Sequence, residues 1–151
     1  MNELQDLYRE LILDHSRSPR HFGKLADATH TAEGINPLCG DKLRLYLRVA
    51  DDDVIADAAF EGSGCAISVA SASLLTEIVI GKTRDHALEF FQAVTRHLTA
   101  PNANTTVDID LGKIRALDGV REFPTRVKCA TLPWHALNSA FKKQAAPVST
   151  E

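Results

Sequence analysis

The chain holds three cysteines, Cys39, Cys65 and Cys129, and each lies beside residues that make it chemically interesting. Asn36-Pro37-Leu38-Cys39-Gly40-Asp41 places a thiol and a carboxylate two residues apart across a glycine. Cys65 follows Gly62-Ser63-Gly64, and Cys129 follows Thr125-Arg126-Val127-Lys128; each opens an apolar helical pattern. Three thiols and one carboxylate make four ligands, the number that a tetrahedral zinc or a cluster-type iron site needs. No two of the cysteines form a C-x-x-C pair, so the spacing is not that of a zinc finger. Two structural cysteines and one incidental one is the alternative that the spacing leaves open.

The remaining residues must bring these groups together. Leu4, Leu7, Tyr8, Leu11 and Ile12 recur at helical spacing, which predicts an amphipathic core helix over Asn2–Asp14. Asn2 is its expected cap, answered by Gln5. His15-Ser16-Arg17-Ser18-Pro19-Arg20 reads as a solvated loop. Thr29–Glu33 is a first strand candidate. Leu43, Leu45, Leu47 and Val49 alternate with polar neighbours, which predicts a strand with one buried face. Asp51-Asp52-Asp53 is a turn without calcium-loop spacing, and Val54–Phe60 is the partner strand.

A helix is expected from Ala66 to Ile80, stopped by Gly81. Its first half is built from Ala66, Ser68, Ala70, Ser71, Ala72 and Ser73, small enough for close backbone approach. Cys65 at its start would have its thiolate favoured by the helix dipole. Thr83 caps a further helix to Leu98, with Leu88, Phe91, Val94 and Leu98 on its buried side and His86 and His97 on its surface. A loop over 99–106 and a short helix near Leu111–Leu117 follow. The last helix runs through Cys129 to Lys143. Pro133 conflicts with its continuity, so Cys129 is expected in an irregular first turn or beside a kink. The expected fold is α+β, a small antiparallel three-stranded sheet with helices packed on one face. Residues 1–144 form a single domain and 145–151 a flexible tail.

Composition bounds the function. With 151 residues, 44% hydrophobic and 25% charged, the chain resembles a soluble globular domain. A net charge of −3 offers no footprint for nucleic acid, and no apolar run is long enough to span a membrane. A cytoplasmic location follows as an expectation, and there cysteines are metal-binding or reactive more often than disulfide-bonded.

The segments Asn36–Asp41, Gly62–Ser73 and Phe123–Leu137 resemble the IscU/NifU-type proteins of iron–sulfur cluster assembly, and within them the SufU-type branch. The insertion over 99–124 and the Arg-Val-Lys-Cys approach to the third cysteine point to that branch. Scaffold-type members carry a histidine immediately before the third cysteine, where this chain has Lys128. The resemblance implies a SufE/NifU-like fold and one Zn²⁺ held by Cys39, Asp41, Cys65 and Cys129. It implies sulfur accepted from a SufS-type cysteine desulfurase and passed to a downstream cluster scaffold. In that scheme Cys39 leaves the metal, exchanged for a ligand from the desulfurase, and receives the persulfide sulfur. Arg126 balances the charge of the thiolates. The protein is then a monomer or homodimer and a sulfurtransferase-like partner rather than a stand-alone enzyme. The second function that the resemblance allows is a scaffold on which a [2Fe–2S] cluster forms, which Lys128 argues against. A cysteine hydrolase with His135 as base is a third class, but no oxyanion motif accompanies it.

Overall fold

A computed structural model of the chain describes residues 3–99, 111–142 and 148–149. Helix α1 spans Glu3–Arg17, followed by strands β1 (His30–Asn36), β2 (Asp41–Val49) and β3 (Ile55–Ser63). Helices α2 (Ala66–Val79) and α3 (Arg84–Thr99) come next, then a 3₁₀ segment over Gly112–Glu122 and helix α4 (Pro124–Lys142). The fold is α+β, as expected. The expected cap Asn2, the loop over 100–106 and residues 145–147 and 150–151 of the tail lie outside the described residues.

β1, β2 and β3 form an antiparallel meander, and Val148–Ser149 (β4) adds a short parallel pairing to the outer edge of β1. Period-two patterning sets the faces: Leu43, Leu45 and Leu47 point into the core, while Lys42 and Arg44 point out. Tyr46 breaks that alternation. It is buried, its hydroxyl donating to Glu61 on β3. α4 packs across β1 and β2, and α2 lies against β3, α1 and α4. Leu74, Leu75, Leu132, Trp134 and Leu137 from the helices meet Leu45, Leu47, Ile55 and Phe60 from the sheet. No helix among the described residues is long and apolar enough to cross a membrane.

The small-residue half of α2 does what its composition predicts. Ser71 is fully buried and donates to the Ala130 carbonyl at 2.6 Å, so α2 and α4 touch nearly backbone to backbone. That contact brings the start of α2, where Cys65 sits, to the face of α4 that carries Cys129.

Three local expectations are corrected. His15 is not in a solvated loop. α1 continues to Arg17, and His15 is buried with its Nδ1 2.7 Å from Ser73 Oγ, which also accepts from the Arg20 backbone N–H at 2.8 Å. His97 is not a surface residue. It is buried on α3 and paired with Asp118 of the 3₁₀ segment at 2.7 Å, while Ala87 and Phe90 take the buried side with Val94 and Leu98. Cys129 does not lie in an irregular first turn. α4 starts at Pro124, whose missing N–H costs nothing at a first helical position, and runs on through Pro133.

Candidate metal centre

Each candidate ligand is delivered by a different local device. Asn36 and Asp41 are paired residues at the closed end of the β1–β2 hairpin. Between them the chain turns through Pro37-Leu38-Cys39-Gly40, and the Cys39 N–H donates to the Asn36 carbonyl at 3.2 Å. Gly40 has φ +73°, a left-handed conformation that glycine adopts at least cost. The turn leaves Cys39 half-buried at the rim, with Leu38 exposed beside it.

Asp41 is almost wholly buried, and its carboxylate meets the N-terminus of α2. Oδ1 accepts the Cys65 N–H at 2.8 Å, which satisfies one unpaired amide near the helix start and places negative charge at the positive end of the dipole. Gly64 makes that approach possible, since a Cβ there would sit 2.6 Å from Asp41 Oδ1 and 2.4 Å from Ser68 Oγ. Cys65 is the extended residue that precedes α2, half-buried, its side chain free of capping duty.

Cys129 lies in the second turn of α4, fully buried. Its sulfur is 3.6 Å from Asn36 Nδ2, and its thiol donates to the Thr125 carbonyl at 3.5 Å. Burial pushes this thiol above the ordinary range, and the neighbouring Asp41, Cys39 and Cys65 side chains push the same way.

The fold thus gathers Cys39, Asp41 and Cys129, whose ligand atoms all lie within 4.8 Å of one another. Cys65 stands outside that trio while touching it. Its amide holds Asp41, and its thiol is near enough to bear electrostatically on Cys129 and Arg126. A rotamer change at Cys65 moves its sulfur without moving the backbone. Around a tetrahedral ion with ordinary zinc–sulfur and zinc–oxygen bonds, ligand atoms sit about 3.5–3.8 Å apart, so the trio needs only a small contraction. A donor set of soft sulfur with one hard oxygen suits zinc or iron and disfavours calcium or magnesium.

Arg126 presents an exposed guanidinium to these sulfurs. The charges of Cys65 and Cys129, and then a hydrogen bond to Cys65, hold it above the usual arginine range. Lys128 faces elsewhere, lining a groove of about 390 Å³ between the end of α3 and α4 together with Arg121, Thr131 and His135. His135 packs edge-on against the Phe91 ring, with centroids 5.4 Å apart, on the α3 side of α4. Cys129 points instead toward Asn36 on β1, an arrangement that gives a cysteine hydrolase no base.

Two residues of the site carried no role in the sequence reading, Asn36 and Gly64. The hairpin pairing of Asn36 with Asp41 was the signal for the first. For the second, the signal was a glycine directly before a helix start that must admit a carboxylate.

Comparison with known proteins covers nearly the whole chain. The family model of the NifU-like N-terminal domain matches residues 7–130. The zinc-dependent sulfurtransferase SufU of Bacillus subtilis is 43% identical over 141 residues, covering 93% of each chain. The iron–sulfur cluster assembly scaffold protein IscU of Streptococcus pyogenes is 39% identical over 96% of this chain and 89% of its own. Among solved structures, the SUF-system protein FiSufU from Fervidobacterium islandicum superposes with a TM-score of 0.78. It is 39% identical and covers 87% of this chain and 93% of that one. The N-terminal part of a NifU-like protein from Brucella abortus gives a TM-score of 0.80 at 25% identity, covering 94% of this chain and 96% of that one.

Proposed function

From the premise that the chain belongs to the NifU-like N-terminal domain family, we propose that it is a zinc-dependent sulfur carrier of iron–sulfur cluster assembly, loaded by a cysteine desulfurase. The observation that carries this reading is the trio of Cys39, Asp41 and Cys129, gathered within 4.8 Å with Cys65 against it. Zinc would be held by these four side chains, and it supplies a thiolate-stabilising charge without redox activity of its own. That charge matters most at Cys129, where burial otherwise favours the protonated thiol.

The chain's own residues divide the work. Cys129 and Asp41, both buried, form the fixed floor. Cys39, on a glycine-hinged turn at the rim, is the thiol that meets a partner. Its thiolate attacks the outer sulfur of the desulfurase cysteine persulfide. A new S–S bond forms to Cys39, the old S–S bond breaks, and its electron pair leaves on the desulfurase thiolate. The outer sulfur carries its proton across, so no external oxidant or reductant is required. Arg126 offsets the negative charge of the sulfurs and of the incoming persulfide. A SufS-type enzyme is the donor on this reading, and the acceptor is a downstream cluster scaffold.

The second reading is a scaffold on which a [2Fe–2S] cluster is assembled, the role named for the Streptococcus relative. Lys128 weighs against it, because an ammonium replaces the expected histidine and lines a groove on the α3 side of the helix. Desulfurase turnover with and without this protein tests the proposal. The expected result is stimulation that is lost in Cys39→Ala, with the transferred sulfur found on Cys39 by mass spectrometry. Stimulation that survives Cys39→Ala would overturn it.

A further inference from the structure

Asn36 is fully buried at the end of β1, directly beneath the cysteine and carboxylate groups. Its backbone carbonyl closes the turn that presents Cys39. Its side-chain Nδ2 lies 3.5 Å from Asp41 Oδ2 and 3.6 Å from Cys129 Sγ. Its Oδ1 is buried without a hydrogen-bond partner among the described residues. A buried amide with an idle acceptor is a cost that an apolar residue of the same size would avoid, so its presence calls for a reason in what its donors do. Both nearby acceptors are would-be metal ligands. Among the described residues no side-chain amide donates to the sulfur of Cys39.

An N–H···S hydrogen bond draws electron density from the sulfur, so it orients a ligating thiolate and lowers its nucleophilicity. We infer that Asn36 is a positioning residue that marks Cys129 and Asp41 as the retained ligands and thereby directs sulfur transfer to Cys39, an inference that rests on the metal site proposed above. Burial alone slows attack at Cys129. The amide adds a chemical distinction that persists when the site opens toward a partner.

The direct test needs no variant. Loading ¹⁵N-labelled protein with ¹¹³Cd²⁺ in place of zinc allows through-bond proton–cadmium correlation. The expected spectrum links the cadmium to the β-protons of the three cysteines and to one side-chain amide proton of Asn36, coupled through the Cys129 sulfur. Thiolate-bound cadmium without the Asn36 correlation would overturn the inference and leave the metal site standing. Absence of thiolate-bound cadmium would remove both. A second measurement reads reactivity. In zinc-loaded Asn36→Leu, which keeps the branched shape of the side chain and removes its N–H donors, the iodoacetamide labelling rate of Cys129 relative to Cys39 should rise about tenfold. An unchanged ratio in a variant that still binds zinc contradicts the proposal.

Discussion

The backbone N–H of Cys65 lies 2.8 Å from Oδ1 of Asp41, so one candidate ligand is fastened by the main chain of another. The start of α2 and the end of the β1–β2 hairpin are therefore tied together at this point. Gly64 is the residue that permits the contact. Gly64→Ala would place a methyl group 2.6 Å from the Asp41 carboxylate and 2.4 Å from Ser68 Oγ. The serine hydroxyl can rotate away, but the buried carboxylate cannot retreat without breaking its bond to Cys65. The expected result is a fall in zinc affinity of about 10–100-fold with a stability loss of about 1–3 kcal/mol. Competition titration with a chromophoric chelator and thermal melting of the metal-free form measure the two effects separately. Unchanged affinity would mean that Asp41 is not a ligand.

Arg126 is exposed, so its contribution belongs to encounter and charge balance rather than to folding. Arg126→Ala should keep zinc while slowing sulfur acceptance from the desulfurase about tenfold at low salt, with the difference shrinking as ionic strength rises. Arg126→Lys should recover part of the rate, since the charge returns without the planar fork. Stopped-flow or single-turnover transfer assays at several salt concentrations read this. Equal rates for all three proteins at every ionic strength would remove Arg126 from the mechanism.

Two histidines make the metal-free fold acid-sensitive. His15 is held below its ordinary value of 6.5 first by burial and then by the charge of Arg20, and His135 is held below its own by burial. The unfolded chain therefore takes up these protons before the folded one does. The stability they confer is whole above about pH 6.5 and drains away as pH falls through their folded-state values. The melting temperature of the zinc-free protein should drop between pH 7 and 5. His15→Gln should flatten that drop at a cost of about 1 kcal/mol at pH 7 from the lost bond to Ser73. A wild-type melting temperature independent of pH over that range would contradict the assignment.

The sheet and the helices were legible because their patterns are local. The alternation at Leu43, Leu45 and Leu47 and the small-residue run from Ala66 each report a face, and the structure uses both faces as read. The candidate ligands were legible by residue type and by the turns around them. What stayed hidden depends on partners distant in sequence. His15 looked solvated because Ser73, which it meets, lies on another helix. His97 looked exposed for the same reason, its partner Asp118 lying in a segment with no clear periodicity. Pro133 suggested an irregular first turn or a kink, and α4 instead takes in Cys129 from its start at Pro124, with Leu132, Trp134 and Leu137 beside the proline buried in the core. Asn36 was visible in the motif, but its role appears only once Cys129 is brought against it from the far end of the chain.

The most direct measurement is the metal and its coordination shell in protein purified without added metal. Elemental analysis with X-ray absorption spectroscopy should find one zinc per chain, with three sulfurs at about 2.3 Å and one oxygen at about 2.0–2.2 Å. Cys39→Ser should exchange one sulfur for a light atom in that shell. Iron with acid-labile sulfide in place of zinc, or a zinc shell that Cys39→Ser leaves unchanged, would contradict the account.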